Sequence, residues 1–100
     1  MKRMELIGCR SVEKEIICAL RDNIQGLYYT LLPQIPGGDE PDYQSETGIW
    51  TNLNFLLISY LDDDNALKAA AIIQSVKEQF PYKGIKLFFI ESREQGIKEF

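Results

Sequence analysis

The side chains that most often perform enzyme chemistry are scarce in this chain of 100 residues. It contains no histidine, which removes the most common general base and the most common transition-metal ligand. Cys9 and Cys18 match no redox or zinc-binding spacing, and we expect both to be buried small apolar residues. The carboxylates of Asp62 to Asp64 would be the best catalytic candidates, but they precede a helical pattern and are explained as a helix cap. The composition therefore favours a binding protein over an enzyme, and we predict no catalytic residues.

The segment 34–52 holds the residues best suited to contact a ligand. It is long and irregular, and loops of this length in a small domain are usually functional or mobile. Gly37 and Gly38 follow Pro36, and their backbone amides could cradle an anion, although the same residues also form plain turns. Trp50 stands near the end of the segment, where it favours burial in the core, at a subunit interface or in the wall of a cleft.

The acidic residues of this segment admit two interpretations. Carboxylate oxygens suit Mg²⁺ or Ca²⁺, but the spacing matches no calcium-binding loop, and a solvated acidic loop has the same composition. The four residues are Asp39, Glu40, Asp42 and Glu46. Whether a metal binds here is left open.

The charge distribution argues against nucleic acid as a partner. The net charge is −4, and no lysine or arginine occurs between Arg21 and Lys68, where most of the acidic residues would repel phosphates. No apolar run reaches the length of about 18 residues that spans a bilayer, and charged residues interrupt the N-terminal apolar stretch. We therefore expect a cytoplasmic protein without direct insertion into a membrane.

The hydrophobic pattern predicts four strands that position these residues. Apolar runs dense in branched and aromatic side chains predict strands at 4–9, 27–32, 54–61 and 85–90. Pro33 is expected to end the second strand, because proline cannot donate to a strand ladder.

Two helices are predicted between these strands. The first begins at Ser11, whose hydroxyl is expected to act as the N-cap, and ends near Asn23, with Gly26 supplying the next turn. The second follows the cap at Asp62 and carries an alanine-rich apolar stripe as far as Phe80.

This element order predicts a single domain over residues 1–100. It is the βαββαβ order of a ferredoxin-like sandwich in the α+β class, with a four-stranded antiparallel sheet and two helices on one face. Both alternation phases of the last three strands are apolar, as in the pairs Tyr28 and Tyr29, Phe55 and Leu56, and Phe88 and Phe89. The uncovered face would then be a large apolar patch, and we predict a homo-oligomer that buries it.

With these elements in place, the chain resembles the PII-like family of small trimeric signalling proteins over nearly its whole length. Residues 24–30, in which Gln25-Gly26 precedes a strand, are similar to the turn into the second strand of PII proteins. The segment 36–52 is similar in position to their mobile T-loop, and residues 82–89 are similar to the Gly-Lys turn into their fourth strand. The metal-tolerance protein CutA shares this fold and trimer.

The resemblance implies a homotrimer with clefts between subunits, where PII proteins bind ATP or ADP, often with 2-oxoglutarate or a metal ion. The ligand changes the T-loop, which then engages a transporter, an enzyme or a regulator. By position, Gly37 and Gly38 match the flexible base of that loop, and Lys86 matches the lysine that meets nucleotide phosphates. The ligand-binding residues predicted for this chain are Gly37, Gly38, Trp50, Lys83, Gly84 and Lys86.

The chain departs from PII proper in its basic residues. The start of its long segment has none, and the tail 92–96 has a single arginine, Arg93. Lys83, Lys86 and Arg93 could hold one phosphate or carboxylate group, whereas a triphosphate needs several charge-assisted donors. We therefore predict a PII-like regulatory protein whose small ligand is an anion or a nucleotide, with the ligand and any cofactor left unnamed. A CutA-like protein that binds divalent cations is the alternative.

Overall fold

The computed structural model describes residues 1–36 and 53–96. The described residues form four strands, one 3₁₀ turn and two α-helices. In chain order they are β1 Lys2–Cys9, a 3₁₀ turn Arg10–Val12, α1 Glu13–Asn23, β2 Thr30–Pro36, β3 Leu53–Leu61, α2 Asp63–Gln79 and β4 Ile85–Glu91. The sheet order is β2-β3-β1-β4, and every neighbouring pair of strands is antiparallel. This confirms the predicted α+β fold of the ferredoxin-like type.

The two faces of the sheet differ because successive side chains alternate along each strand. Met4 and Leu6 of β1, and Phe55 and Leu57 of β3, are fully buried on the face that packs under the helices. The 3₁₀ turn and the helices meet this face with buried apolar residues, which include Val12, Ile16, Leu20, Ala66, Ala69, Ile73 and Val76. The predicted stripes also contained Ala19 and Ala70, which are only partly buried. We call this the helix-covered face, and it holds the core of the protein.

Gly8 is required by a close approach between β1 and β3. It is paired with Phe55, and a Cβ atom at this position would lie 2.8 Å from Phe55 Cε1. Phe55 is the largest fully buried side chain among the described residues, and its burial leaves the ring little room to move away. Glycine at position 8 therefore lets the ring pack directly on the backbone of β1.

The two predicted helix caps have opposite outcomes. At α2, Asp62 Oδ1 accepts a hydrogen bond from the backbone amide of Asn65 at 2.7 Å, which confirms the predicted cap. At α1, the prediction of Ser11 as the N-cap is wrong, because Arg10–Val12 form a 3₁₀ turn and Val12 occupies the cap position.

The predicted bounds of the second strand are also wrong. β2 begins at Thr30 rather than at residue 27, and it continues past Pro33 to Pro36. The sheet tolerates Pro33 because β2 is an edge strand, and its pairing with β3 shifts register between Leu32 and Ile35. Gln34 absorbs this irregularity with a φ of 58°.

Neither cysteine is a fully buried core residue, so that expectation is wrong as well. Cys9 is half-buried and Cys18 is exposed. Ile16 and Leu20 face the core from α1, and Cys18 lies two residues from each of them, which places it on the opposite side of the helix.

The helices are short relative to the thickness of a bilayer. α1 has 11 residues and α2 has 17. Within the described part of the chain, no helix is both long and apolar enough to cross a membrane.

Candidate ligand site at the loop end of the sheet

Four strand ends meet at one end of the sheet, which we call the loop end. β2 ends at Pro36 and β3 begins at Leu53, and these two residues are paired. The end of β1 at Cys9 and the start of β4 at Ile85 lie beside them, because β1 pairs with both β3 and β4. The segment 37–52 is therefore attached to the sheet next to the ends of β1 and β4.

One backbone hydrogen bond closes the turn between α2 and β4, and a second joins this turn to the end of β1. The amide of Lys83 donates to the carbonyl of Phe80 at 3.0 Å, and the amide of Cys9 donates to the carbonyl of Gly84 at 2.9 Å. Lys83 and Gly84 are both exposed. A Cβ atom at Gly84 would meet no described atom within 4 Å, so packing does not require glycine there. The structure thus sets the backbone of Lys83 and leaves its side chain available to a ligand.

Lys86 lies on the sheet face that the helices do not cover. It is the second residue of β4, it is opposite Ile7 of β1, and its side chain is exposed as predicted. Lys83 and Lys86 therefore supply two ammonium groups within four residues at the loop end. Such groups donate charge-assisted hydrogen bonds to phosphate or carboxylate oxygens.

Cys9 lies at the loop end, although its sequence context predicts a buried position in the core. Its thiol lies 3.3 Å from the hydroxyl of Ser11, and this hydrogen bond lowers the pKa of Cys9 below its ordinary value. Partial burial opposes that decrease, while the charge of Lys83 adds to it. The Cys-x-Ser spacing after a strand is the available sequence signal, but it does not reveal the 3₁₀ turn that brings the two side chains together.

Three predicted ligand-binding residues lie outside the described residues. These are Gly37, Gly38 and Trp50, and the acids between 39 and 46 that could hold a metal lie outside them too. Among residues 1–36 and 53–96, no three Cys, Asp or Glu side chains come together in a group that could hold a metal ion.

A cavity of about 460 Å³ lies at the opposite end of the sheet. It is lined by Met1, Tyr60, Ser92, Arg93 and Glu94. The two ends are separated by the length of β1, whose 8 residues span roughly 25 Å at about 3.3 Å per residue. Arg93 is therefore far from Lys83 and Lys86 within one chain, and a single subunit does not bring the three basic residues together.

Comparison with known proteins adds information on the fold. No family model matches the sequence, and no curated protein matches it either. A protein from Thermus thermophilus classed as PII-like signalling has a TM-score of 0.61 at 19% identity, over 89% of this chain and 82% of that one. The nitrogen regulatory PII-like protein CPII from Thiomonas intermedia K12, bound to ADP, AMP and bicarbonate, has a TM-score of 0.60 at 13% identity, over 89% and 84% of the two chains. This chain has the fold of the PII-like proteins.

The same fold also occurs in a designed protein. A de novo designed protein has a TM-score of 0.58 at 10% identity, and the match covers 93% of this chain and 100% of the designed chain. The likeness confirms the predicted fold of the PII-like family, and the function of this chain has to be argued from its own residues.

Proposed function

We propose that this chain is a divergent PII-like regulatory protein that assembles as a homotrimer and binds a small anionic ligand in the clefts between subunits. The segment 37–52 then acts on a partner protein, such as a transporter or an enzyme. The observation that carries the proposal is the juxtaposition at the loop end. Lys83 and Lys86 lie beside the strand ends to which segment 37–52 is attached. A ligand held by these lysines would lie against the base of that segment.

The sheet face that the helices do not cover supports the homotrimer. By alternation and register, this outward face carries Arg3, Glu5, Ile7, Thr30, Leu32, Asn54, Leu56, Ile58, Tyr60, Lys86, Phe88 and Ile90. Phe88, Ile90 and Tyr60 are 49%, 47% and 53% exposed, respectively. Monomeric proteins rarely leave a contiguous apolar face of this kind in water, whereas self-association would bury it.

The position of Arg93 supports a site between subunits rather than within one. Arg93 lines the cavity at the end of the sheet opposite Lys83 and Lys86. A neighbouring subunit could supply its Arg93 to the loop end, which no rearrangement within one folded chain would achieve. Each cleft would then hold three basic residues from two chains.

The number of basic residues supports a small ligand. Two lysines and one arginine match a single phosphate or carboxylate group, and each charge-assisted hydrogen bond contributes about 1.5–3 kcal/mol. The structural neighbour CPII binds ADP, AMP and bicarbonate. We therefore place bicarbonate, acetate, inorganic phosphate and AMP first among the ligands to test, before ATP.

The proposal is tested by light scattering followed by a thermal-shift screen. The screen uses those four anions, ADP, ATP and divalent metal ions, against the wild type and Lys86→Ala. A ligand at 100 times its Kd stabilises the folded state by about 2.7 kcal/mol, which is readily measured. Lys68→Ala is the matched control, because Lys68 is an exposed lysine near the start of α2, which follows the end of β3 at the opposite end of the sheet.

We expect a trimer whose melting temperature is raised by an anion or nucleotide, with the shift lost in Lys86→Ala and retained in Lys68→Ala. A monomer would contradict the proposal. A trimer that responds only to divalent metals would favour the CutA-like alternative instead.

A further inference from the structure

An ion pair lies on a central strand of the outward face, between apolar and aromatic neighbours. Arg3 Nε lies 2.9 Å from Glu5 Oε1, and both residues are on β1, one of the two central strands of the sheet. Arg3 also donates to the hydroxyl of Tyr60 at 3.3 Å, and its guanidinium carbon lies 5.9 Å from the centre of the Tyr60 ring. The pair is therefore held in a defined position by its own strand and by β3.

The lateral neighbours of this pair are all apolar or aromatic. In the register, Arg3 lies between Tyr60 and Ile90, and Glu5 lies between Ile58 and Phe88. The Arg3 and Glu5 side chains are 36% and 26% exposed, so each keeps a polar edge open to solvent. An ion pair this exposed contributes little to the stability of one chain. Its desolvation cost and its electrostatic stabilisation would both become large when another surface covers it.

The outward face suits a second copy of this chain better than a partner of one charge. It presents a cation and an anion side by side within an apolar surround, so an identical face can supply the opposite charge to each of them. Among the described residues, Arg3 Nε is buried and makes no hydrogen bond, although it lies 2.9 Å from Glu5 Oε1. A second copy in one alignment would supply polar partners to this pair, whereas a shifted alignment would bury it against Ile58 or Phe88, which is costly.

We propose that the Arg3–Glu5 pair sets the alignment and the number of subunits in the homo-oligomer. This inference rests on the proposed function, because it presumes that the outward face is the subunit interface. The apolar residues provide most of the association energy but tolerate several alignments. The charged pair rejects the alignments that would leave it buried without a partner, which is the best-attested role of a buried polar group in an interface.

Charge-reversal variants test the pairing. Arg3→Glu leaves two carboxylates on each face, and Glu5→Arg leaves two guanidinium groups. We expect circular dichroism to show that each variant folds. Light scattering should show monomers at concentrations where the wild type is assembled. The association should be weaker by about 30-fold or more, as expected for a truncated charge pair at an interface. The double variant Arg3→Glu/Glu5→Arg restores both signs of charge and is expected to recover most of the assembly.

A matched control reverses a charge on the other side of the sheet. Lys2 and Glu91 form an exposed ion pair between β1 and β4, on the helix side. Lys2→Glu is expected to retain the wild-type mass. This separates a specific effect of the outward face from a general effect of net charge.

A neutral variant tests the role in alignment directly. Arg3→Met/Glu5→Gln keeps the approximate shape of both side chains but removes the charges. We expect it to associate at least as tightly as the wild type, with a mixture of masses in place of one. A single trimeric mass for this variant would overturn the inference, as would charge-reversal variants that assemble normally. A monomeric wild type would overturn the proposed function as well, so the two failures are distinguishable.

Discussion

The two faces of the sheet both carry many apolar residues, but the described residues cover only one of them. On the helix-covered face, Met4, Leu6 and Phe55 are fully buried, and the one buried polar side chain among the described residues, Ser59, donates to the carbonyl of Tyr28 at 2.6 Å. On the outward face, an ion pair lies between exposed aromatic and branched residues. The first face excludes water and satisfies its polar groups within the chain. The second leaves several large apolar side chains exposed among the described residues.

Apolar content alone therefore does not separate a buried face from an exposed one. Phe55 and Leu56 are adjacent, and both are apolar, yet Phe55 is fully buried and Leu56 only partly. The strand alternation places one under the helices and the other on the outward face. Substitutions at such neighbouring positions should therefore change different properties of the protein.

The largest expected effect is that of Phe55→Ala. We expect it to lower the free energy of unfolding by about 3–5 kcal/mol, because it removes a buried ring and leaves a cavity. Leu56→Ala is the matched control and is expected to have a much smaller effect on a single chain. Urea denaturation of both variants, at a concentration where light scattering shows one species, measures the difference. Equal losses at the two positions would contradict the distinction between the faces.

Gly8→Ala is expected to have the next largest effect. The new methyl group would overlap the ring of Phe55, since the nearest ring atom is 2.8 Å from the Cβ position. Overpacking of this kind costs about 1–3 kcal/mol. The double variant Gly8→Ala/Phe55→Leu should lose less than the sum of the two single variants, because the smaller side chain makes room. Additive losses in urea denaturation would show that the contact does not limit position 8.

Asp62→Ala is expected to have a smaller effect, because it removes one hydrogen bond at the start of α2. The loss should be about 1 kcal/mol, which is typical of an N-cap substitution. Asp63→Ala provides the comparison. It removes a charge from the first turn without removing the cap, and it should cost about 0.3–1 kcal/mol. If thermal unfolding ranked the two variants in the reverse order, the hydrogen bond from Asn65 would not be the main contribution of Asp62.

Much of the fold could be predicted because apolar periodicity is a local property. The stripe of Ile16 and Leu20 and the cap at Asp62 follow from spacing alone, and the structure confirms both. The limits of β2 could not be predicted in the same way. Pro33 ends a central strand but is tolerated at an edge, and the edge position of β2 depends on a sheet order that residues far apart in the chain decide.

The candidate site could be predicted only in part. The exposed side of β4 and the turn before it place Lys83 and Lys86 at the loop end, and their role in binding stays a prediction. Arg93 also belonged to the predicted basic set, but seven residues of β4 carry it to the other end of the sheet. That separation is a property of the strand register, and it is why the proposed site needs a second subunit.

The two ends of the sheet also differ in chemistry, and Cys9 offers the mildest test of this difference. The hydrogen bond from Ser11 lowers the pKa of Cys9, with a further contribution from Lys83. Because the thiolate is the nucleophile, a lower pKa increases its fraction at any pH below that pKa.

Ser11→Ala should raise the pKa of Cys9, so that alkylation by iodoacetamide at neutral pH becomes slower. The pH profile of the alkylation rate should shift to higher pH in Ser11→Ala. Lys83→Ala should shift it in the same direction by a smaller amount. Cys18→Ser would serve as the background, so that Cys9 is the thiol observed. An unchanged profile in Ser11→Ala would mean that the thiol and hydroxyl at the loop end do not interact in solution.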